Sequence, residues 1–291
     1  MAMSNENQQI YFPIRELSAR TNVNTVTLRA WERRHGLLTP KRTEKGHRLY
    51  CEQDVAIIEK VLALVARGVP LGKVKPLLKE DALEPSADDE NENWQQSIAA
   101  LVAAVEMFSV TKLEHLIHEF FANYPVGVCR ERLIEPVFAL LVQRDDKGAA
   151  FGFLESELIR YTLMRLSAKV SKKKQAHAVT LIAGEQAPMW CLALMALELT
   201  DLKFSVYLFN RAFSVAAAIE LAEKFTASDT VFYQDGLLKE KEHGRLADAL
   251  GENERMWLCG TAPVLTQFDQ DSRVFGDVKS CISGFAKIAA G

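Results

Sequence analysis

The spacing of hydrophobic and polar positions changes once along this 291-residue chain, between residues 172 and 178. Up to residue 172, apolar residues recur every three or four positions, which predicts helices over 13–20, 25–35, 52–67, 71–79, 94–107, 111–124, 126–143 and 149–172. Beyond residue 178, short apolar runs predict strands over 178–183, 204–209, 230–233, 256–259 and 273–275. Helical stretches separate these strands, over 189–200, 215–225 and 237–250, and a last one covers 279–289. The pattern predicts an α+β multidomain chain that ends in a doubly wound, parallel five-stranded sheet.

The first eighty residues have the layout of a winged helix-turn-helix. Two short helices, over 13–20 and 25–35, are joined by only a few residues, as in that motif. Gly36 is well placed to end the second helix in a left-handed conformation. Residues 37–50 can then pair as a β-hairpin, the wing, around a turn in which Gly46 supplies a positive φ.

Composition divides the chain into segments. Residues 81–93 carry six acids and no base, without apolar periodicity, which predicts an acidic linker. Short connections between the helices that follow predict an antiparallel bundle. The predicted segments are a disordered tail (1–10), a winged-helix DNA-binding domain (11–80), the linker (81–93), a helical bundle (94–172) and an α/β domain (176–291).

Charge is unevenly distributed, although the net charge of the whole chain is only −3. Residues 11–50 carry nine Lys and Arg against three Glu. A basic module on an acidic remainder is expected when one domain meets nucleic acid. The alternative is an ordinary solvated surface.

Composition also limits the other classes of function. The five Cys are scattered singly, the N-terminus is polar, and no apolar stretch approaches the ~20 residues of a membrane span. These features predict a reduced cytoplasmic protein with no metal framework, no disulfides and no membrane contact. We find no nucleophile–base pattern and no glycine-rich fingerprint, so we predict no catalytic residues and no enzyme activity.

The second helix and the wing carry the residues that would meet DNA. A major groove admits one helix, whose long polar side chains reach base edges and phosphates. On this helix we expect DNA contacts from Thr25, Thr27, Arg29, Arg33 and Arg34. Packing against the first helix is expected of Val26, Leu28 and Trp31. The phosphate-reaching groups of the wing are Lys41, Arg42, Thr43, Lys45, His47, Arg48 and Tyr50.

Two motifs in this segment resemble those of the MerR transcription regulators. The second helix carries LRAWE over residues 28–32, similar to the L-R-[YA]-[YW]-E core of that family. The wing carries RTEKGHRLY over residues 42–50, similar to R-x-x-x-G-x-R-x-Y, and the likeness extends to Leu78. The resemblance implies a dimer on a near-palindromic site in double-stranded promoter DNA, with RNA polymerase as a partner. In many members of the family, activation works by distorting an overlong promoter spacer.

The resemblance narrows to a branch in which a helical bundle and a cobalamin-binding-like domain follow. Ala30-Trp31 in place of paired tyrosines is typical of this branch, and residues 153–160 (FLESELIR) look like its bundle motif E-H-F-A-S-x-L-I-R. Its cobalamin binders carry D/E-x-H-x-x-G after the first strand, where the His ligates cobalt. This chain keeps Glu185 but has Ala187 in place of the His and Trp190 in place of the Gly. We therefore expect no bound cobalamin.

Two roles remain open for the C-terminal half. In the first, it binds a nucleotide, a cyclic dinucleotide or another small effector in a crevice near Phe153, Glu185 and Trp190, at the carboxyl ends of the strands. In the second, it serves only oligomerisation or protein contact, which bulky side chains filling the crevice would favour. A cobalamin-dependent, light-responsive regulator is a third reading, and it needs the missing histidines.

Overall fold

The structure of the chain is a computed structural model that describes residues 10–67, 69, 71–79, 87–143, 147–168, 177–268 and 271–290. The predicted tail lies outside these residues apart from Ile10, which is exposed. The chain divides into two compact units, residues 1–144 and residues 145–291. No helix in the described part of the chain is long and apolar enough to cross a membrane.

The first unit opens with the winged helix-turn-helix that the sequence predicts. Its elements are β1 (Phe12–Pro13), α1 (Ile14–Thr21), α2 (Thr25–Ala30), a π-helical segment (Trp31–His35), β2 (Lys41–Arg42), β3 (Arg48–Tyr50), α3 (Glu52–Ala66) and α4 (Leu71–Lys79). We call α2 and the π-helical segment together the recognition helix. Asn24 caps it, because its Oδ1 accepts a hydrogen bond from the Val26 N–H at 2.7 Å. Gly36 ends it with a φ of 57°, as predicted.

Strands β2 and β3 form the predicted wing hairpin, in which Gly46 has a φ of 79°. On its other edge β3 pairs with β1, so the sheet order is β1-β3-β2. We did not predict β1, because two residues are too few for a periodic pattern. Below the sheet, the apolar core of this module is built from fully buried side chains that include Leu17, Leu28, Trp31, Tyr50 and Ile58.

Further helices complete the first unit. They are α5 (Ala87–Glu106), α6 (Val110–Asn123), α7 (Val126–Cys129), a second π-helical segment (Arg130–Ile134) and α8 (Glu135–Val142). Helix α5 packs against α6, against the second π-helical segment and against α8. An aromatic contact joins α5 to the end of α6, since the rings of Trp94 and Tyr124 are 5.1 Å apart.

Helix α5 corrects the predicted acidic linker. Residues 81–86 of that linker lie outside the described residues, but α5 begins at Ala87, seven residues before the predicted start at Trp94. The segment 87–93 lacks apolar periodicity, so the spacing of apolar residues does not mark this first part of the helix.

The second unit contains the five-stranded sheet. Its elements are α9 (Lys147–Ala168), β4 (Ala178–Gly184), α10 (Met189–Asp201), β5 (Ser205–Phe213), α11 (Val215–Lys224), β6 (Asp229–Tyr233), α12 (Glu240–Glu252), β7 (Met256–Cys259), α13 (Thr261–Leu265), β8 (Val274–Phe275) and α14 (Val278–Ala290). The strand order is β5-β4-β6-β7-β8, and every pair is parallel. This confirms the predicted doubly wound sheet, with its topological switch point between β4 and β6.

Helix α10 is apolar on all of its faces, and other elements of the unit cover these faces. It packs against β4, β5, α9 and α14, and residues 190–197 are all buried. The partner helix α9 was predicted to be the last helix of the 94–172 bundle. In the structure it belongs to the second unit and packs on α10 instead.

Candidate functional site

One face of the recognition helix is exposed and polar. Arg29, Arg33 and Arg34 are exposed, and Thr25 is half-buried at the first turn. The opposite face enters the core, where Leu28 and Trp31 have no exposed surface, as predicted. The structure thus places three of the predicted arginines at the surface of one short helix.

The structure reverses the predicted burial of two neighbouring residues on this helix. Thr27 is only 2% exposed, whereas Val26 is 57% exposed. Cap formation at Asn24 fixes the phase of the helix, and residues 27, 28 and 31 then share the inner face. Thr27 is therefore a core residue, and its predicted contact with DNA is wrong for this conformation.

The wing presents most of its predicted cations to solvent. Lys41, Arg42, Lys45 and His47 are exposed. Thr43 closes the turn of the hairpin: its Oγ1 accepts the His47 N–H at 3.1 Å, and its own N–H donates to the His47 carbonyl at 2.9 Å. Together with Arg29 and Arg33 on the recognition helix, the four exposed residues of the wing make a basic surface, which we call the basic face.

Tyr50 is a second correction to the predicted site. Its side chain is fully buried, so it cannot reach a phosphate from this position. Burial raises the pKa of its phenol to about 12, which keeps the hydroxyl neutral. The residue contributes to the core beneath the wing.

A carboxylate, Glu32, lies between the recognition helix and the wing. Its Oε2 accepts a hydrogen bond from the Arg48 Nε–H at 2.6 Å, and its Oε1 is 3.5 Å from Nη2 of Arg42. This hydrogen bond raises the pKa of the Arg48 guanidinium. Glu32 was not among the predicted site residues, although it belongs to the LRAWE motif and pairs with two arginines of the wing.

The far end of the recognition helix contacts α6. The indole N–H of Trp31 donates to the Asn123 carbonyl at 2.6 Å, and Arg34 Nη1 donates to the Asn123 Oδ1 at 3.0 Å. This supports the structural role predicted for Trp31. It also uses one donor of Arg34 inside the protein. Burial, followed by the charge of Arg34, lowers the pKa of the neighbouring His35.

The predicted effector crevice lies at the carboxyl ends of the strands in the second unit. Trp190 is 8% exposed, and its backbone N–H donates to Oε1 of Glu155 on α9 at 3.2 Å. Phe153 is half-buried, while Glu185 is exposed. A bulky indole therefore fills the start of α10, where the resemblance would have a glycine.

Side chains also cover the switch point between β4 and β6. A Cβ on Gly184 would lie 1.7 Å from Oε1 of Gln234, and one on Gly236 would lie 2.0 Å from Oε1 of Gln186. In the next loop, Asp235 Oδ1 accepts hydrogen bonds from the backbone N–H and the hydroxyl of Thr261, at 2.8 and 2.9 Å. Side-chain contacts and hydrogen bonds thus join the loops at this edge of the sheet.

Comparisons with known proteins agree with this arrangement. Residues 12–81 match the MerR HTH family of regulatory proteins. The chain is 31% identical to the HTH-type transcriptional regulator MlrA of Escherichia coli over 181 residues, which cover 62% of this chain and 72% of MlrA. MlrA of Salmonella typhimurium is also 31% identical, over 59% of this chain and 68% of the relative.

One further relative extends the likeness beyond the first module. The HTH-type transcriptional repressor CarH of Myxococcus xanthus is 26% identical over 82% of this chain and 85% of its own length. The solved structure of a Methanosarcina barkeri monomethylamine corrinoid protein superposes with a TM-score of 0.45 and 11% identity, over 67% of this chain and 99% of that protein. The level of identity to MlrA, over more than two thirds of that protein, shows that the chain belongs to the MerR family of HTH-type transcriptional regulators.

Proposed function

We propose that this regulator binds a near-palindromic promoter site as a dimer, through the basic face. The observation that carries the proposal is the placement of Arg29 and Arg33 on the exposed side of a capped helix, beside a wing whose Lys41, Arg42 and Lys45 are exposed. Helix side chains of this kind read base edges in the major groove, while wing cations hold phosphates. In this arrangement Arg29, Arg33 and Thr25 face the bases.

The dimer and the RNA polymerase contact are part of the same proposal. A single recognition helix reads only a few base pairs, so helix-turn-helix proteins double their site by binding as two-fold dimers. The relatives are named as transcriptional regulators and repressors, which is consistent with a protein that acts at promoters.

Selection of bound duplexes from a random library tests the proposal. We expect an enriched sequence with two inverted half-sites about one helical turn, or a multiple of it, apart, and two chains per duplex in sedimentation. Arg33→Ala should relax the preference at one base position. Lys45→Ala should weaken binding to all sequences and reduce the salt slope by about one. A library that shows no enrichment would contradict sequence-specific binding, and one chain per duplex would contradict the dimer.

We also propose that the α/β domain holds no cobalamin. Ala187 offers no donor atom at the position of the cobalt ligand, and the buried indole of Trp190 occupies the position of a conformationally free glycine. The side chain of Gln234 fills the space over Gly184 at the switch point. These three features do not fit the cofactor. The filled crevice favours a role in protein contact over the binding of a small effector.

Thermal unfolding of the purified chain in the dark tests this second proposal. Adenosylcobalamin and a panel of cyclic dinucleotides are added separately. A ligand at about 100 times its dissociation constant stabilises the native state by ~2.7 kcal/mol, which raises the unfolding temperature by roughly 5–10 °C when the shift is about 2–4 °C per kcal/mol. We expect no shift with either class of ligand. A shift with cobalamin would overturn the cofactor argument, and a shift with a dinucleotide would assign an effector to the domain.

A further inference from the structure

Asn123, in the last turn of α6, makes two hydrogen bonds to the recognition helix. Its carbonyl accepts the indole N–H of Trp31 at 2.6 Å, and its Oδ1 accepts Nη1–H of Arg34 at 3.0 Å. Its own Nδ2–H donates to the Glu119 carbonyl, one turn back on α6, at 2.9 Å. Asn123 is only 9% exposed, so these bonds lie largely away from water.

Both partners of Asn123 belong to the π-helical segment. Trp31 and Arg34 are three residues apart and face α6, while Glu32 between them faces the wing. The last turn of the recognition helix thus contacts two elements, the wing on one side and α6 on the other. Single π-helical turns inside α-helices often occur at functional sites.

The contact with α6 has a cost if it is lost. Trp31 is fully buried, so an unpaired indole N–H would have no access to water. Tyr124, the residue after Asn123, packs against the core of the winged-helix module, and burial raises the pKa of its phenol. Because α2 itself has only six residues, its direction depends on such outside contacts more than on its own length.

We propose that Asn123 is a positioning residue for DNA recognition: it holds the recognition helix at the angle at which its side chains meet the bases. This inference rests on the proposed DNA binding. A loss of Asn123 would then harm base readout more than phosphate contact, because the wing keeps its cations. A contact that only stabilises the core would harm binding to every sequence alike.

The test compares Asn123→Ala, Arg34→Ala, the double variant and a control, His115→Ala, whose side chain is 79% exposed on the same helix. Affinity for the selected duplex and for a scrambled duplex of equal length is measured at one salt concentration. Thermal unfolding of each variant is recorded in parallel, so that a folding defect is recognised.

For Asn123→Ala we expect about a tenfold loss of affinity for the selected duplex, the scale of one hydrogen bond to a charged group. Affinity for the scrambled duplex should change by less than about twofold, since phosphate contacts remain. Arg34→Ala should add little to Asn123→Ala in the double variant, because both remove the same bond. The control should behave as the unmodified chain.

Two results overturn the inference. One is an unchanged ratio of the two affinities in Asn123→Ala, whether or not its unfolding temperature falls. The other is full additivity of the two single variants, which would show that Arg34 acts on DNA independently of Asn123. If the unmodified chain itself prefers no sequence, the proposed function fails, and that outcome is distinct from both. Should Asn123→Ala not fold, Asn123→Ser, which keeps a small polar side chain, is measured by the same ratio.

Discussion

At the residue scale, the cap at Asn24 decides which side chains of the recognition helix are free to meet DNA. The Oδ1 of Asn24 accepts a hydrogen bond from the Val26 N–H, and the helix begins at the next residue, Thr25. From there the helical repeat places Thr25, Val26 and Arg29 outward and Thr27 inward. Hydrophobicity alone predicts that Val26 is buried and that Thr27 is exposed. The two residue types have nearly the same shape, so shape does not distinguish the two positions.

The first prediction uses this near-identity of shape. Thr27→Val should leave affinity for the selected duplex unchanged within about twofold, since the side chain is buried and makes no contact with solvent. Thr25→Val removes a hydroxyl at the surface and should weaken binding or alter the preferred sequence. Duplex titrations of both variants check this. If Thr27→Val lost affinity while Thr25→Val did not, the assigned phase of the helix would be wrong.

The second prediction concerns His35, which ends the recognition helix. Burial and the charge of Arg34 lower its pKa in the folded state below the ordinary value of 6.5. Between these two values the unfolded chain binds more protons than the folded one, so the free energy of unfolding falls as the pH drops below about 6.5. His35→Gln removes this contribution. Urea titrations from pH 7.5 to 5.5 should therefore show the original chain losing stability relative to the variant, and a constant difference would refute the assignment.

At the scale of elements, the end of α12 depends on one arginine from the loop before β8. Arg273 donates to the Leu250 and Asn253 carbonyls at 2.9 and 2.8 Å, and its guanidinium pairs with Asp271 at 2.6 Å. These bonds satisfy carbonyls that a helix end leaves without intrahelical partners. The same pairing lowers the pKa of the Asp271 carboxyl.

The third prediction follows from these bonds. Arg273→Ala should lower the free energy of unfolding by roughly 1–3 kcal/mol, because two partly buried carbonyls lose their donor and Asp271 loses its partner. Lys241→Ala, at an exposed position of α12, serves as the matched control. Urea unfolding measures both. A variant as stable as the control would mean that water replaces the guanidinium without cost.

The elements differ in how well the sequence specifies them. Strands β4, β6 and β7 are continuous apolar runs buried on both faces, so their pattern predicts them and their parallel order. The two-residue β1 exists only because β3 offers it a free edge, and no local pattern encodes it. Helix α5 begins before its apolar periodicity does, so the spacing of apolar residues places its start too late. The packing of α9 on α10 depends on tertiary structure, because α10 is apolar on all of its faces and α9 covers one of them.

The candidate site divides in the same way. Arginine and lysine positions on the basic face follow from charge and order alone, and the structure exposes them. Glu32 and Asn123 escaped prediction, since each acts through a partner distant in sequence: Arg48 on the wing and Trp31 on the recognition helix. Tyr50 was assigned to phosphate because its hydroxyl is polar, whereas its ring completes the core.

At the scale of the whole molecule, the chain carries a net charge of −3, but the surface proposed to bind DNA has the opposite sign. The basic face holds five exposed Lys and Arg in each chain, at positions 29, 33, 41, 42 and 45. Each phosphate that they neutralise releases counterions, which makes binding depend on salt. The acidic remainder opposes unspecific adhesion to DNA elsewhere on the molecule.

The fourth prediction converts this count into a slope. A plot of the logarithm of the binding constant against the logarithm of salt concentration should fall with a slope of at most about −9 for a dimer, and of about −4 to −5 for a single chain. Titrations at salt concentrations from about 50 to about 200 mM measure this slope. A slope near −4 together with two chains per duplex would mean that only half of the basic face touches DNA.

We expect Glu32 to affect how long the basic face stays bound to a DNA site. A regulator that searches a genome spends nearly all its encounters on wrong sequences, and it has to leave each of them quickly. Because the carboxylate holds Arg48 and draws in Arg42, these two cations are partly neutralised before any phosphate arrives. A complex on a wrong sequence then displaces fewer counterions and dissociates sooner. We therefore expect this one acid among the arginines to shorten the time that the protein stays on wrong sites.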